Sequence, residues 1–293
     1  MDIPAQCAIF SLSPRKALKQ TNKPNKSMSL IIAKNKVTVE ELIGCETPEA
    51  TDSFVPVPHY HLVKLVREAL ALVGLDIVEE EHALARGGLR YFGGFAVTGK
   101  GIGNESRQVV VGLRNSHDKA FAAAICIGNR MMVCENLCFS SDVKLARRHT
   151  VNVLADLPRV VADAIARVVA HWNDMEKRIE AYKATEITEQ QAENILVDLV
   201  DCKALPARSF YPTLLEFRKP RHAEFEGMHL WNLYNALTEN LKGGDLSKLP
   251  FRTMTAQSIL DPRACHIPHL EVQEIVTKGC EENQEPDGTD LRD

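Results

Sequence analysis

Ser116, His117 and Asp118 stand side by side in the run Leu113-Arg114-Asn115-Ser116-His117-Asp118, and a hydroxyl, an imidazole and a carboxylate are the groups of a nucleophilic triad. Their spacing argues against that chemistry. Neighbouring side chains of an extended chain point to opposite faces, so three consecutive residues cannot pass a proton from nucleophile to base to orienting carboxylate. Catalysis would need partners from elsewhere, and no nucleophile-elbow pattern supplies them. The competing reading is a strand-connecting turn in which Asn115, Ser116 and Asp118 bond their own backbone. Arg114 and His117 are then the side chains left to meet a partner.

Other residues raise binding rather than catalysis. Cys126, Cys134 and Cys138, with His117 and His149 nearby, have the donor types of a zinc site. Their spacing forms no CxxC pair and the cysteines sit among apolar residues, so no metal or cofactor is expected and the thiols read as small hydrophobes. The glycine-rich stretch Gly99 to Asn104 resembles a phosphate loop in composition but lies between two strands instead of opening a helix. It reads as a hairpin tip whose amides, beside Lys100, could meet a nucleic-acid backbone. Basic residues gather at Arg147-Arg148-His149 and at Arg218-Lys219-Pro220-Arg221-His222. They are either a seat for an anionic partner or ordinary solvated charge. Trp231, Tyr234, Asn235 and Thr238 share one side of a helix, a face that could stack a base or simply pack a core.

The elements that must position these residues are legible in the pattern. Leu62, Leu65, Val66, Ala69, Leu70 and Val73 recur at helical spacing up to Gly74. Strand-like runs follow at 75–86 and 89–98 about the turn Gly87-Gly88, then at 107–113, where Val109, Val111 and Leu113 share a face. Two more strands are expected at 121–127 and 130–134 about Gly128-Asn129, making an antiparallel meander of about five strands. From 151 to 184 the pattern turns helical, with Pro158 as a kink or a start. A second helix opens on the capping box Thr188/Gln191, 205–227 reads as a connector, and a third helix spans 228–241 before Gly243-Gly244. The expected fold is therefore α+β: an antiparallel sheet preceded by one helix and followed by a helical half. Residues 1–27 are expected to be a disordered basic arm or an extension ahead of a start at Met28, 28–145 the α+β core, 146–250 the helical region, and 251–293 a tail, acidic and disordered at its end.

With 293 residues, 45% of them hydrophobic, the chain can bury a large core. A formal charge of −4 supplies no global field toward phosphate, so any nucleic-acid contact must be local. Eight cysteines are too sparse for a secreted disulfide framework, and no apolar run reaches the roughly 18 residues of a membrane span, so a cytoplasmic protein without a membrane partner is expected.

Four blocks, Val55-Pro56-Val57-Pro58, Gly112 to Asp118, Val133 to Phe139 and Leu230 to Glu239, together resemble the bacterial and phage "domain of unknown function 932" family, over about 29–250. The Asn-Ser-His-Asp block and the Val-Cys-Glu-Asn that follows, ending at Asn136, carry most of the resemblance, so Asn136 joins Arg114 to Asp118 as a candidate site residue. Members commonly have a small residue and serines after His-Asp, whereas this chain has Lys119-Ala120-Phe121. The resemblance implies a phage- or plasmid-type accessory role and transfers no catalytic residue. Three readings follow. The first is single-stranded DNA binding in replication or recombination, through Lys100, Arg147, Arg148, His149, Arg218, Lys219, Arg221 and Trp231. The second is an enzyme using His117 and Asp118 on a small molecule or nucleotide, and the third an interaction module, homo-oligomeric in one version.

Overall fold

The computed structural model describes residues 30–264 other than 32 and 135, so the expectations for 1–27 and for the acidic end fall outside the described residues. Strand β1 (Lys36–Val37) leads into helix α1 (Val39–Ile43), which Thr38 and Glu41 cap reciprocally. Helix α2 (His59–Leu72) ends at Gly74, whose φ of 73° only glycine adopts at little cost. Then come β2 (Asp76–Ala85), β3 (Arg90–Thr98), β4 (Arg107–Ser116), β5 (Ala123–Met131) and β6 (Leu137–Arg147). Among the described residues they form one six-stranded sheet in chain order, antiparallel throughout. Helices α3 (Val153–Ala166), α4 (Val168–Ala184), α5 (Glu189–Asp201), α6 (Phe210–Arg218), α7 (Leu230–Leu241) and α8 (Leu249–Leu260) complete the α+β architecture.

The alternation of each strand sorts its side chains into two environments. Tyr91, Phe95, Val109, Val111, Leu113, Ile125 and Ile127 face inward onto α2 and α3 and form the first core. A second core joins α4 through α8 to Met131, Cys134 and Cys138. The outer face of the sheet is covered in part by Leu30 and Ile31, which pack on Ala96 and Val110, and by α8 against β6.

Several expectations need correction. Gly128-Asn129 is not a hairpin turn, because β5 runs through it. A side chain at Gly128 would put its Cβ 2.0 Å from the Cys138 carbonyl oxygen, so glycine is there to admit a neighbouring strand across an irregular register. The turn lies after Met131 and opens the sixth strand. The stretch read as a connector contains α6, and α8 occupies the start of the stretch read as a tail. The long helical pattern is broken at Arg167 instead of Pro158, which sits inside α3. The Thr188/Gln191 capping box is present as read, with both reciprocal bonds made at 3.2 and 2.7 Å.

Candidate ligand-binding site

The signature segment ends β4 and splits by pleat. Asn115 points inward: its Nδ2 donates to the Val57 carbonyl at 2.7 Å and to His59 Nδ1 at 2.8 Å. The His117 ring also turns inward, with Nε2 2.9 Å from the same carbonyl and its plane stacked on His59, centroids 3.9 Å apart and 5° from parallel. His59 Nε2 donates to the Gly88 carbonyl at 2.9 Å, which leaves Nδ1 as the acceptor and sets the tautomer. Burial is the main reason that His59 titrates at about 4, with His117 and His149 adding like charge. Ser116 and Asp118 instead hold the loop. Ser116 Oγ accepts from Phe121 N–H at 3.1 Å and donates to the Phe121 carbonyl at 2.8 Å. Asp118 Oδ1 accepts from Ala120 N–H at 3.1 Å, and Oδ2 takes Arg90 Nε at 2.6 Å. Burial pushes the Asp118 carboxyl up, but Arg90 and the Ala120 amide outweigh it and hold it below its ordinary value.

The enzyme reading called for His117 and a nucleophile or carboxylate side chain to converge within hydrogen-bond reach. His117 is instead buried in an imidazole stack, while Asp118 is spent on Arg90 and its own turn. His117 is likewise not aimed at a partner, and Asn115 does not bond its own turn.

Arg114 is the member of the segment that faces outward. It sits between Phe92 and Ala124 in the sheet, beside a cavity of about 50 Å³ on the outer face. Gly94 and Gly112 form its floor, paired across β3 and β4, with Cys126 next in the same row. Phe139 covers Gly112 so closely that a Cβ there would lie 2.5 Å from the ring. Ile31, Val110, Leu137, Leu246 and Phe251 are among the residues of the remaining apolar wall. The Arg114 guanidinium lies over the Phe121 ring at 5.1 Å and donates from Nη1 to the Ser247 carbonyl at a long 3.4 Å. It pairs with no carboxylate among the described residues, and burial lowers its pKa from the ordinary value.

The remaining predicted cations do not gather here. Arg147 pairs with Asp156 of α3. Arg218 meets Glu189 and Glu193, and Arg221 meets Glu216 and Glu239 at 3.1 and 3.0 Å, with Lys219 exposed between them. His149 is buried, its Nδ1 3.3 Å from the Val55 carbonyl, and Arg148 is exposed beside it. Lys100 is exposed at the β3–β4 hairpin, which Ile102 N–H closes onto Gly99 at 3.4 Å. Trp231 is 5% exposed, packed among Tyr234 and Phe225 in the second core, and so offers no stacking face. Asn136 is buried as well, with Nδ2 3.4 Å from the Asn235 carbonyl, tying the β5–β6 turn to α7. Burial pushes the Cys134 and Cys138 thiols up to about 11, which keeps them protonated.

A family model described as Domain of unknown function (DUF932) matches residues 51–261, more than half of the chain. The chain belongs to this family. The match takes in α2, every strand from β2 to β6 and the helical half through α8, so the DUF932 region includes Arg114 and the cavity floor. No curated protein and no solved structure matches the chain. No helix among the described residues is long and apolar enough to cross a membrane.

Phe121, Phe92, Phe139 and the two floor glycines are the site residues that sequence reasoning does not reach. A signal for them exists. Val110 and Gly112 alternate with the inward Val109, Val111 and Leu113, so β4 is apolar on both faces and its outer face must be covered. Phe121 is the ring against which the outward arginine lies.

Proposed function

We propose that this protein is a non-catalytic binding module that holds an anionic ligand on the outer face of its sheet, in the accessory setting of phages and plasmids that the family resemblance implies. The observation that carries the reading is Arg114: a half-buried guanidinium beside an apolar cavity, with one long hydrogen bond to a backbone carbonyl and no carboxylate partner among the described residues. Such a group has unspent donors in a medium where an anion gains more than it does in water. Isothermal titration of the full chain with a panel of anions tests it. Binding should be lost in Arg114→Gln while the urea midpoint stays within the range of a folded protein. Ligands that bind the variant as tightly as the parent would refute the reading.

Single-stranded nucleic acid is a second reading, and the Phe121 ring favours it. Arg90 and Arg114 both lie over that ring, at 5.9 and 5.1 Å, and Phe92 is tilted against it at 5.5 Å. A base could stack there with a phosphate at Arg114. This reading puts the contact at the end of β4 and not at the two basic clusters, where Arg147, Arg218 and Arg221 pair with carboxylates. With Arg90 paired to Asp118, the single phosphate contact at Arg114 predicts a log-log salt slope of only about −0.7 for an oligothymidylate. Affinity indifferent to salt rejects this second reading.

A further inference from the structure

We propose that the outer-face cavity takes a short-chain aliphatic monocarboxylate, its carboxylate on Arg114 and its hydrocarbon end on the Gly94–Gly112 floor against Phe139. The inference rests on the anion-binding reading and names the ligand class of that site.

Three features of the cavity select this chemistry. The first is charge. One guanidinium offers a single positive charge, and among the described residues it has no counter-ion and no second cation lines the cavity. A monoanion is neutralised there, whereas the second charge of a phosphate monoester would be left uncompensated in an apolar wall. The guanidinium fork also matches the two coplanar oxygens of a carboxylate. The second is polarity. Beyond Arg114 the lining is glycine backbone, a thiol and hydrocarbon, and the backbone of the floor is already paired into the β3–β4 ladder. The Cys126 thiol is turned to the Gly112 carbonyl at 3.6 Å. A ligand body with hydroxyls or ring nitrogens would lose its water there and gain no partner, which disfavours sugars, bases and amino acids. The third is size. The cavity, about 50 Å³, is roughly a third of the 150 Å³ apolar cavity that admits benzene. It holds a few methylenes and not a ring, and a longer chain must run back out of the mouth.

The same cavity accounts for the glycines. A side chain at Gly112 would strike Phe139, and one at Gly94 would stand 3.3 Å from Leu30 and Ile31, so glycine at both positions lets these side chains pack directly on the sheet and form the wall of the cavity.

The test is isothermal titration of the full chain with butanoate, hexanoate, butyl phosphate, butanol and butylammonium, all needing no variant. Butanoate or hexanoate should bind at least roughly tenfold more tightly than butanol or butyl phosphate, and butylammonium should not bind. Arg114→Gln should lose about tenfold or more of the carboxylate affinity, and Ala124→Leu, which extends a side chain into the cavity beside Arg114, should abolish it. Preference for butyl phosphate or for an oligothymidylate, dependent on Arg114, overturns the carboxylate proposal and leaves the anion-binding reading intact. If none of these anions binds in an Arg114-dependent way, both fall.

Discussion

Acidification should unfold this protein through His59. Its Nδ1 faces the Asn115 amide, and both of that amide's protons are committed, one to His59 and one to the Val57 carbonyl. A proton on Nδ1 would meet a donor, and flipping Asn115 would set its oxygen against the Val57 oxygen. His117, stacked at 3.9 Å, would then face a positive ring. Burial above all, with like charge from His117 and His149, holds His59 neutral down to about 4 in the folded protein, against the ordinary 6.5 of the unfolded chain. Between those two values the unfolded chain binds the extra proton, so the contribution is fully present above 6.5 and is lost as pH falls toward 4. At about 1.4 kcal/mol per pH unit the loss is roughly 3 kcal/mol, a large part of the stability of a domain this size. His149, also lowered by burial, steepens the same limb. Urea unfolding at half-unit pH steps from 7.5 to 4 measures it. His59→Phe, which keeps a ring against His117, should be less stable at neutral pH and show a shallower acid limb. An acid limb unchanged in that variant, or an NMR titration placing His59 near 6.5, would refute the reasoning.

Two further perturbations follow from local geometry. Gly93→Ala would place a Cβ 1.9 Å from the Tyr91 hydroxyl, and Tyr91 is fully buried, so the protein should lose on the order of 2 kcal/mol or more in urea unfolding. Ser116→Ala removes both bonds that pin the loop to Phe121; about 1–2 kcal/mol should be lost, and amide exchange of Phe121 should quicken by at least roughly tenfold.

Periodicity alone determined the α+β class, the hairpin at Gly87-Gly88, the shared face of Val109, Val111 and Leu113 and the Thr188 cap, because each depends on residues within a few positions of one another. The same local logic misplaces the β5–β6 turn. Gly128-Asn129 has turn chemistry, and only the neighbouring Cys138 carbonyl reveals that glycine is there for close approach. The signature segment divides along the same line. That Ser116 and Asp118 would bond their own turn follows from residue type and adjacency. That His117 stacks on His59, that Trp231 closes a core, and that Arg218 and Arg221 are neutralised depend on side chains brought from distant elements. Sequence determined that Arg114 would be charged and would alternate with its inward neighbours. Only the tertiary structure, by folding Ile31, Phe139 and Phe251 over two glycines, decided that this charge stands beside an apolar cavity with no carboxylate among the described residues to answer it.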